Sequence, residues 1–462
     1  MMNLPGVRRP DTNEPNAAPV ITTWLFVSLL AAHAYLGVFL KANGAFATVF
    51  ALLVGIVALA LAMWDKSPER TFLMMGYIVG SEILWRMTRA DIFWMYAEYL
   101  VMVLSVVSIL RHRPAVPGIR SSLLYVVPLL LSVPMMLGTM PFDMIRKGLA
   151  FNLAGPVAFG LSVYAASRLV IGRSWLPLIA FTAVLPIISV AVLGSIRLAA
   201  GGVVFGTQSN VAAAGGYAPN QVSTLMSYGA AILFTLIIMQ NSWTRYKAVF
   251  IILMVYLSAQ GILTFSRGGL LNTLAFLMFF LPFLLRDKKT RLRLIGLAII
   301  LIPLLNFFIA PEIESLTGGA LERRYSTTGN STGRTRIMEE ELEIFQTNTF
   351  FGVGPGMSAH NRLQQFGTFH AVSHTEYTRL LAEHGLVGVV AFLFFLATYK
   401  AMYSRSKYPR AQGFVLATLA WSLTMFVHAA TRTLTFGFLT VLAVLWVQAV
   451  DDGEERVHDA GS

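Results

Sequence analysis

The sequence predicts an all-α polytopic membrane protein with about 12–14 transmembrane helices and one large helical periplasmic loop. Of its 462 residues, 56% are hydrophobic and only 13% are charged, about half the charged share of a soluble globular chain. The mean hydropathy is +0.66, which excludes a disordered chain as firmly as a soluble one. Apolar runs long enough to cross a bilayer, about 20 residues each, also recur along almost the whole length. Cysteine is absent, so a disulfide framework, a thiolate metal site and a Cys nucleophile are all excluded. The net charge of +12 does not point to nucleic acid. The basic residues sit in short clusters between apolar runs and form no stripe interleaved with aromatics, the pattern that reports membrane topology.

A polar leader, residues 1–19, precedes the first run. It is followed at once by further spans and has no small-residue cleavage site, so the first run reads as a retained helix. Eleven spans are expected within 20–310, at 20–40, 45–63, 71–85, 92–110, 121–138, 149–167, 175–193, 222–240, 248–265, 268–285 and 294–310. Three more follow within 385–450, at 385–401, 411–428 and 433–450, before a tail at 451–462. With the leader placed in the cytoplasm, the segments on that side hold 21 Lys and Arg, against 8 in the short loops opposite. The positive-inside rule therefore predicts a multi-pass protein with both termini cytoplasmic.

Two segments on the far side exceed a simple turn. Residues 194–221 are rich in Gly, Ala, Ser and Asn and carry one charge, Arg197. Residues 311–384 are the only sizeable extramembrane stretch. Long ordered loops usually carry function, so chemistry is expected on that face. Within the loop, Arg334–Asn348 reads as an amphipathic helix with Met338, Leu342 and Phe345 on its apolar stripe. The run Gly352-Val353-Gly354-Pro355-Gly356 then breaks it. Ser373 and Glu376 have capping-box spacing, which predicts a second helix from His374 to His384, stopped by Gly385.

Several side chains cost too much at these positions to be incidental. Arg267 lies between two spans with almost no polar loop, where a charge is expensive, and Gly268 and Gly269 beside it permit close approach. An arginine snorkelling to the headgroups is the plain alternative, as it is for Arg197 and Arg432. His374, expected in the first turn of a capped helix, would feel a dipole that disfavours imidazolium and favours a neutral base; an inert loop histidine is the alternative. His360, His370 and His384 lie nearby, but no metal-site pattern joins them. Glu82 and Glu98 fall in the third and fourth spans and read either as an ion path or as a buried structural pair.

Three stretches together resemble the O-antigen ligase and O-antigen polymerase superfamily. They are TFSRGGLL (264–271), GRTRIMEEELEIFQTNTFFGVGPGM (333–357) and SHTEYTRLLAEHGLVG (373–388), in order and mainly within 190–400. The family's usual His-Asn is His-Thr here. The resemblance implies a glycosyltransferase that takes a glycan from an undecaprenyl-diphosphate-linked donor on the periplasmic face. The acceptor hydroxyl would belong to lipid A-core in a ligase, or to a growing lipid-linked glycan in a polymerase. It maps diphosphate binding onto Arg267 and Arg197 and the general base onto His374; Arg334, at the start of the amphipathic helix, reads either as a further diphosphate or sugar contact or as a solvated arginine. Neither a cofactor nor a metal is implied, and attack opposite the diphosphate would invert the anomeric centre. Membrane lipids are the remaining partners. A lipid-linked sugar transporter or flippase is the alternative of another class; the long loop, without counterpart in the first half, favours the enzyme.

Overall fold

The computed structural model describes residues 18–139, 141–206, 208–239, 243–326, 332–367, 373, 375–428, 431 and 433–449. Among them every regular element is helical. The chain opens with α1 (Thr23–Ala42), α2 (Gly44–Trp64), α3 (Pro68–Met87) and α4 (Tyr96–Arg111). A broken pass follows, made of α5 (Ser121–Leu124), α6 (Val126–Leu131) and a 3-10 turn at Val133–Met136. Then come α7 (Phe142–Ser167), α8 (Trp175–Ala199), α9 (Pro219–Met239), α10 (Lys247–Leu263), α11 (Arg267–Leu284) and α12 (Lys288–Pro303). The long connection contains α13 (Ala310–Thr317), α14 (Ala320–Ser326), α15 (Thr332–Thr347) and α16 (Ser358–Phe366). The chain returns through α17 (Glu376–Arg405), α18 (Pro409–His428) and α19 (Thr435–Gln448). Among the described residues, ten helices are long and apolar enough to cross a membrane, and the segments 121–136 and 435–448 are shorter apolar helices. This is an all-α polytopic membrane protein.

Local chemistry fixes many of the ends. Asn43 terminates α1 and caps α2, its side-chain oxygen accepting from the Ala45 N–H at 2.8 Å. Asp287 caps α12 through the Thr290 N–H at 2.7 Å. The centre of the bundle is α8 and α9, buried almost all round, and small residues let neighbours approach: a methyl at Gly80 of α3 would lie 2.3 Å from the Ala183 carbonyl of α8. Such close backbone contact substitutes for the hydrophobic drive that helices lack between themselves in lipid. On one flank Phe26 stacks on Tyr246 with ring centroids 3.9 Å apart.

Four expectations change. The twelfth pass does not run from 385 but begins at Glu376 and continues to Arg405 through a kink at Gly385 (φ 60°, ψ −144°). Gly385 therefore bends the helix and does not stop it. The eleventh pass likewise extends beyond 310, because α12 continues through a π-helical segment at Leu304–Ile309 into α13. The expected capping box is not formed: Thr375 is the N-cap and accepts from the Thr378 N–H at 3.3 Å. Helix α16 has no counterpart among the expected elements. Residues 1–17 of the leader, the tail, Arg432, His370 and His374 lie outside the described residues.

Glu82 and Glu98 are held by a residue between them. Arg86 pairs with Glu82 at 2.6 Å and with Glu98 at 2.9 Å, and Glu82 also accepts from the Leu434 N–H at 2.9 Å. All three are buried, which makes them an ion-paired brace between α3 and α4.

Candidate active site

The long connection, the α10–α11 turn, the α3–α4 turn and the α18–α19 turn meet at one end of the bundle, the loop end. What organises it is the Gly-rich run. In an unbroken helix the N–H groups of Leu386 and Val387 would bond to the carbonyls of Ala382 and Glu383. The kink at Gly385 frees all four. Residues 349–354 lie in the gap: Val353 and Gly354 donate to Ala382 and Glu383 at 2.9 Å each, while Leu386 and Val387 donate to Thr349 and Phe350 at 2.8 and 3.3 Å. The loop is thus spliced into the helix. The same run is wedged against α7, where a methyl at Gly356 (φ 80°) would lie 2.5 Å from the Asn152 amide nitrogen. That contact fixes the start of α16 and, with it, Ser358.

A buried polar network grows from this arrangement. Arg362 of α16 donates to Glu341 of α15 at 2.6 Å, both side chains fully buried. Thr378 donates to the other Glu341 oxygen at 2.6 Å, and Ser373 also donates to Glu341. Ser358 lies 3.2 Å from Ser373 and donates to Glu383 at 2.8 Å. Arg379 pairs with Glu383 at 2.8 Å and with Glu376 at 2.9 Å, and donates to the side-chain amide oxygen of Asn152 at 3.2 Å. Glu376 in turn accepts from the Thr431 N–H at 3.2 Å. Burial pushes the Glu341 carboxyl above the ordinary glutamate range, against the lowering influence of Ser373, Thr378 and Arg362. The stripe expected to anchor α15 is not the buried one. Met338 and Leu342 are 37% and 40% exposed, while Ile337, Glu341 and Ile344 face inward.

Beside this network opens a cavity of about 640 Å³, within the range typical of ligand sites. Asn152, Ser358, Ser373 and Glu383 contribute polar groups to its lining, and Phe93, Trp94 and Tyr99 contribute aromatic rings. Arg146 and Lys147 also line it, each paired with Asp143, at 2.8 and 2.7 Å.

The residues singled out in the sequence divide among three places. Arg267 starts α11 and donates to the Arg324 carbonyl, while Arg324 reaches back to the Phe265 carbonyl at 3.4 Å. Arg334 lies within electrostatic range of Arg267, so the structure brings these two together. His428 adjoins them: it is in electrostatic range of Arg334, bonds Asn272 at 3.1 Å, and a methyl at Gly268 would lie 2.3 Å from its Nδ1. Arg197 stands exposed at the end of α8, in electrostatic range of Lys41, as is Arg89. His374 lies outside the described residues, but its neighbours Ser373 and Thr375 are both buried, and Ser373 lines the cavity. His384 is buried against Ser132 at 2.6 Å. Among the described residues, no group of three His, Asp or Glu side chains is arranged to hold a metal ion.

Sequence reasoning missed Glu341, Arg362, Arg379 and Glu383. Glu341 stands four residues after Ile337 and three before Ile344, the spacing of a buried stripe, and a glutamate there is the one readable signal.

The fold and site define a class: a multi-span helical membrane protein that keeps an ion-paired polar cavity at the loop end of its bundle. Residues 252–393, from within α10 to within α17, match the family model described as O-Antigen ligase. The match supports the chain's membership of the O-antigen ligase and polymerase superfamily. It takes in Arg267, Arg334, the Gly-rich run and Glu383, while Arg197, Asn152, Phe93 and Trp94 lie outside it. No curated protein matches the chain.

Proposed function

We propose that this protein is a ligase-type glycosyltransferase. It transfers a glycan from undecaprenyl diphosphate to a sugar hydroxyl of lipid A-core, at the periplasmic face of the bacterial inner membrane. The observation that carries the reading is that two like-charged guanidiniums, Arg267 and Arg334, stand within electrostatic range of each other inside the family-matched segment. They stand at the same end of the bundle as Ser373, the cavity residue directly before His374.

In this mechanism His374 removes the proton of the acceptor hydroxyl as its oxygen attacks the anomeric carbon. The glycosidic C–O bond breaks from the opposite face, the configuration inverts, and the bonding electrons leave with the diphosphate. Arg267 and Arg334 neutralise that charge as it develops. Guanidinium suits the role because its planar fork binds phosphate oxygens in pairs and remains ionised near lipid. Arg197, on a separate patch with Lys41 and Arg89, contributes a longer-range attraction for the anionic glycolipid.

The test is glycan transfer by purified, folded protein in nanodiscs. His374→Ala is expected to lose about 10²–10⁴-fold in rate and Arg267→Ala about 10²–10³-fold, with Arg197→Ala affected least. Wild-type turnover in His374→Ala would remove the base assignment. A lengthened lipid-linked glycan as product, in place of glycosylated lipid A-core, would identify a polymerase.

A further inference from the structure

Nothing in the proposed chemistry uses the aromatic lining of the cavity, although it is built with care. The connection between α3 and α4 carries Phe93 and Trp94, which remain 57% and 51% exposed while lining the cavity together with Tyr99. Large aromatic surface left open beside convergent polar groups is the usual composition of a ligand site. The connection is also held in place. Arg89 adopts a left-handed φ of 59°, the Ala90 N–H bonds the Trp85 carbonyl at 3.0 Å, and the Asp91 N–H bonds Thr48 of α2 at 2.7 Å.

Trp94 is fixed from behind. The Arg86 guanidinium lies 4.8 Å from its ring centroid and donates to the Trp94 carbonyl at 3.3 Å. Glu82 and Glu98 hold that guanidinium from either side. The buried ionic brace thus presents one tryptophan in a set orientation, and ordering it beforehand lowers the entropy that binding must overcome. Phe93 and Tyr99 continue the surface, their rings 5.5 Å apart.

We propose that this aromatic lining binds a sugar ring of the acceptor glycan, an inference that rests on the glycosyltransferase reading above. A pyranose has C–H faces and a hydroxyl rim, and the cavity matches both. The faces meet Trp94 and Phe93, while the rim meets Asn152, Ser358, Ser373 and Glu383. Each Glu383 oxygen already accepts one bond, from Ser358 and from Arg379, and each keeps a second lone pair for a sugar hydroxyl. The acceptor is favoured over the donor because Ser373 adjoins the proposed base, whereas Arg267 and Arg334 do not line the cavity.

The experiment titrates the full chain in nanodiscs with two probes: deacylated core oligosaccharide, which has no diphosphate-linked lipid, and undecaprenyl diphosphate, which has no sugar. Trp94→Ala is expected to weaken oligosaccharide binding about tenfold or more while leaving undecaprenyl diphosphate unaffected. Trp94→Phe should retain most of the affinity, which separates loss of stacking from misfolding. Arg267→Ala should show the reverse pattern. Equal oligosaccharide binding by wild type and Trp94→Ala, or none by wild type that still binds undecaprenyl diphosphate, overturns the subsite and leaves the aromatics as membrane-interface anchors. Failure of wild type to bind either probe would overturn the glycosyltransferase reading as well.

Discussion

At the residue scale, the pairing of Glu341 with Arg362 sets the sharpest test. Two fully buried opposite charges in contact are costly to separate, and removing one partner typically costs about 3–5 kcal/mol. Arg362→Ala should therefore lower the unfolding temperature far more than the double change Arg362→Met with Glu341→Leu, measured by thermal unfolding in detergent. Burial also raises the Glu341 carboxyl above its unfolded value, so the folded state binds a proton there more tightly than the unfolded chain does. That contribution is complete below the ordinary glutamate pKa of about 4.3 and is lost as pH rises through the folded value. Glu341→Gln keeps the neutral shape, so the stability advantage of wild type over this variant should shrink as pH is raised from about 4. A widening advantage would mean that the ionised pair with Arg362 prevails. The sequence hid this residue because its neighbours Met338, Leu342 and Phe345 offered a cleaner apolar stripe. A glutamate is read as solvated until tertiary partners are known.

At the element scale, the kink of α17 governs the site. A methyl at Gly385 would meet the Thr349 carbonyl oxygen at 2.4 Å in a backbone region that already costs a non-glycine residue about 1–3 kcal/mol. Gly138 has a comparable φ of 79° with nothing around it. Gly385→Ala should abolish transfer and expose the long connection to protease. Gly138→Ala should show only the smaller backbone penalty and keep activity. Apolar run length placed helices at the expected spans, because a lipid-facing helix must be apolar over a fixed length, although only ten of them among the described residues are long and apolar enough to cross a membrane. The Gly-rich break and Gly385 were legible too, each as a local stop. Their mutual pairing was not, since hydrogen bonds between backbones 29 and 37 residues apart leave no local pattern. Helix α16 was missed for a related reason: its buried face is built around Ser358 and Arg362, with no apolar period to read.

At the scale of the whole molecule, the lack of cysteine makes the orientation directly measurable. Single cysteines placed at Glu312 of α13 and at Arg113 beyond α4, both exposed, should report opposite sides. With both termini cytoplasmic, a membrane-impermeant maleimide should label Glu312→Cys in intact spheroplasts and Arg113→Cys only after permeabilisation. Labelling in the opposite order would invert the topology and move the candidate site away from the periplasm. The charge asymmetry between short loops carried that orientation in the sequence, and the α8–α9 connection adds a structural reason to keep the long segments on one side: the Asn210 N–H bonds the Thr264 carbonyl beside Arg267 at 2.8 Å. The site draws on helices from both halves of the chain, with Asn152 of α7 meeting Arg379 of α17. No single contiguous stretch contains it.

Residues 349–354 complete backbone pairings inside a transmembrane helix, and this governs how the protein can be taken apart. A fragment cut at the membrane boundary would carry off Gly354 and Val353 with their carbonyl partners still attached to half a helix, stripped of the Leu386 and Val387 amides that complete the exchange. Soluble expression of residues 311–384 alone should therefore yield a collapsed, protease-sensitive peptide. Dissecting this protein by domain is closed off, and its loop has to be engineered within the intact bilayer-embedded chain.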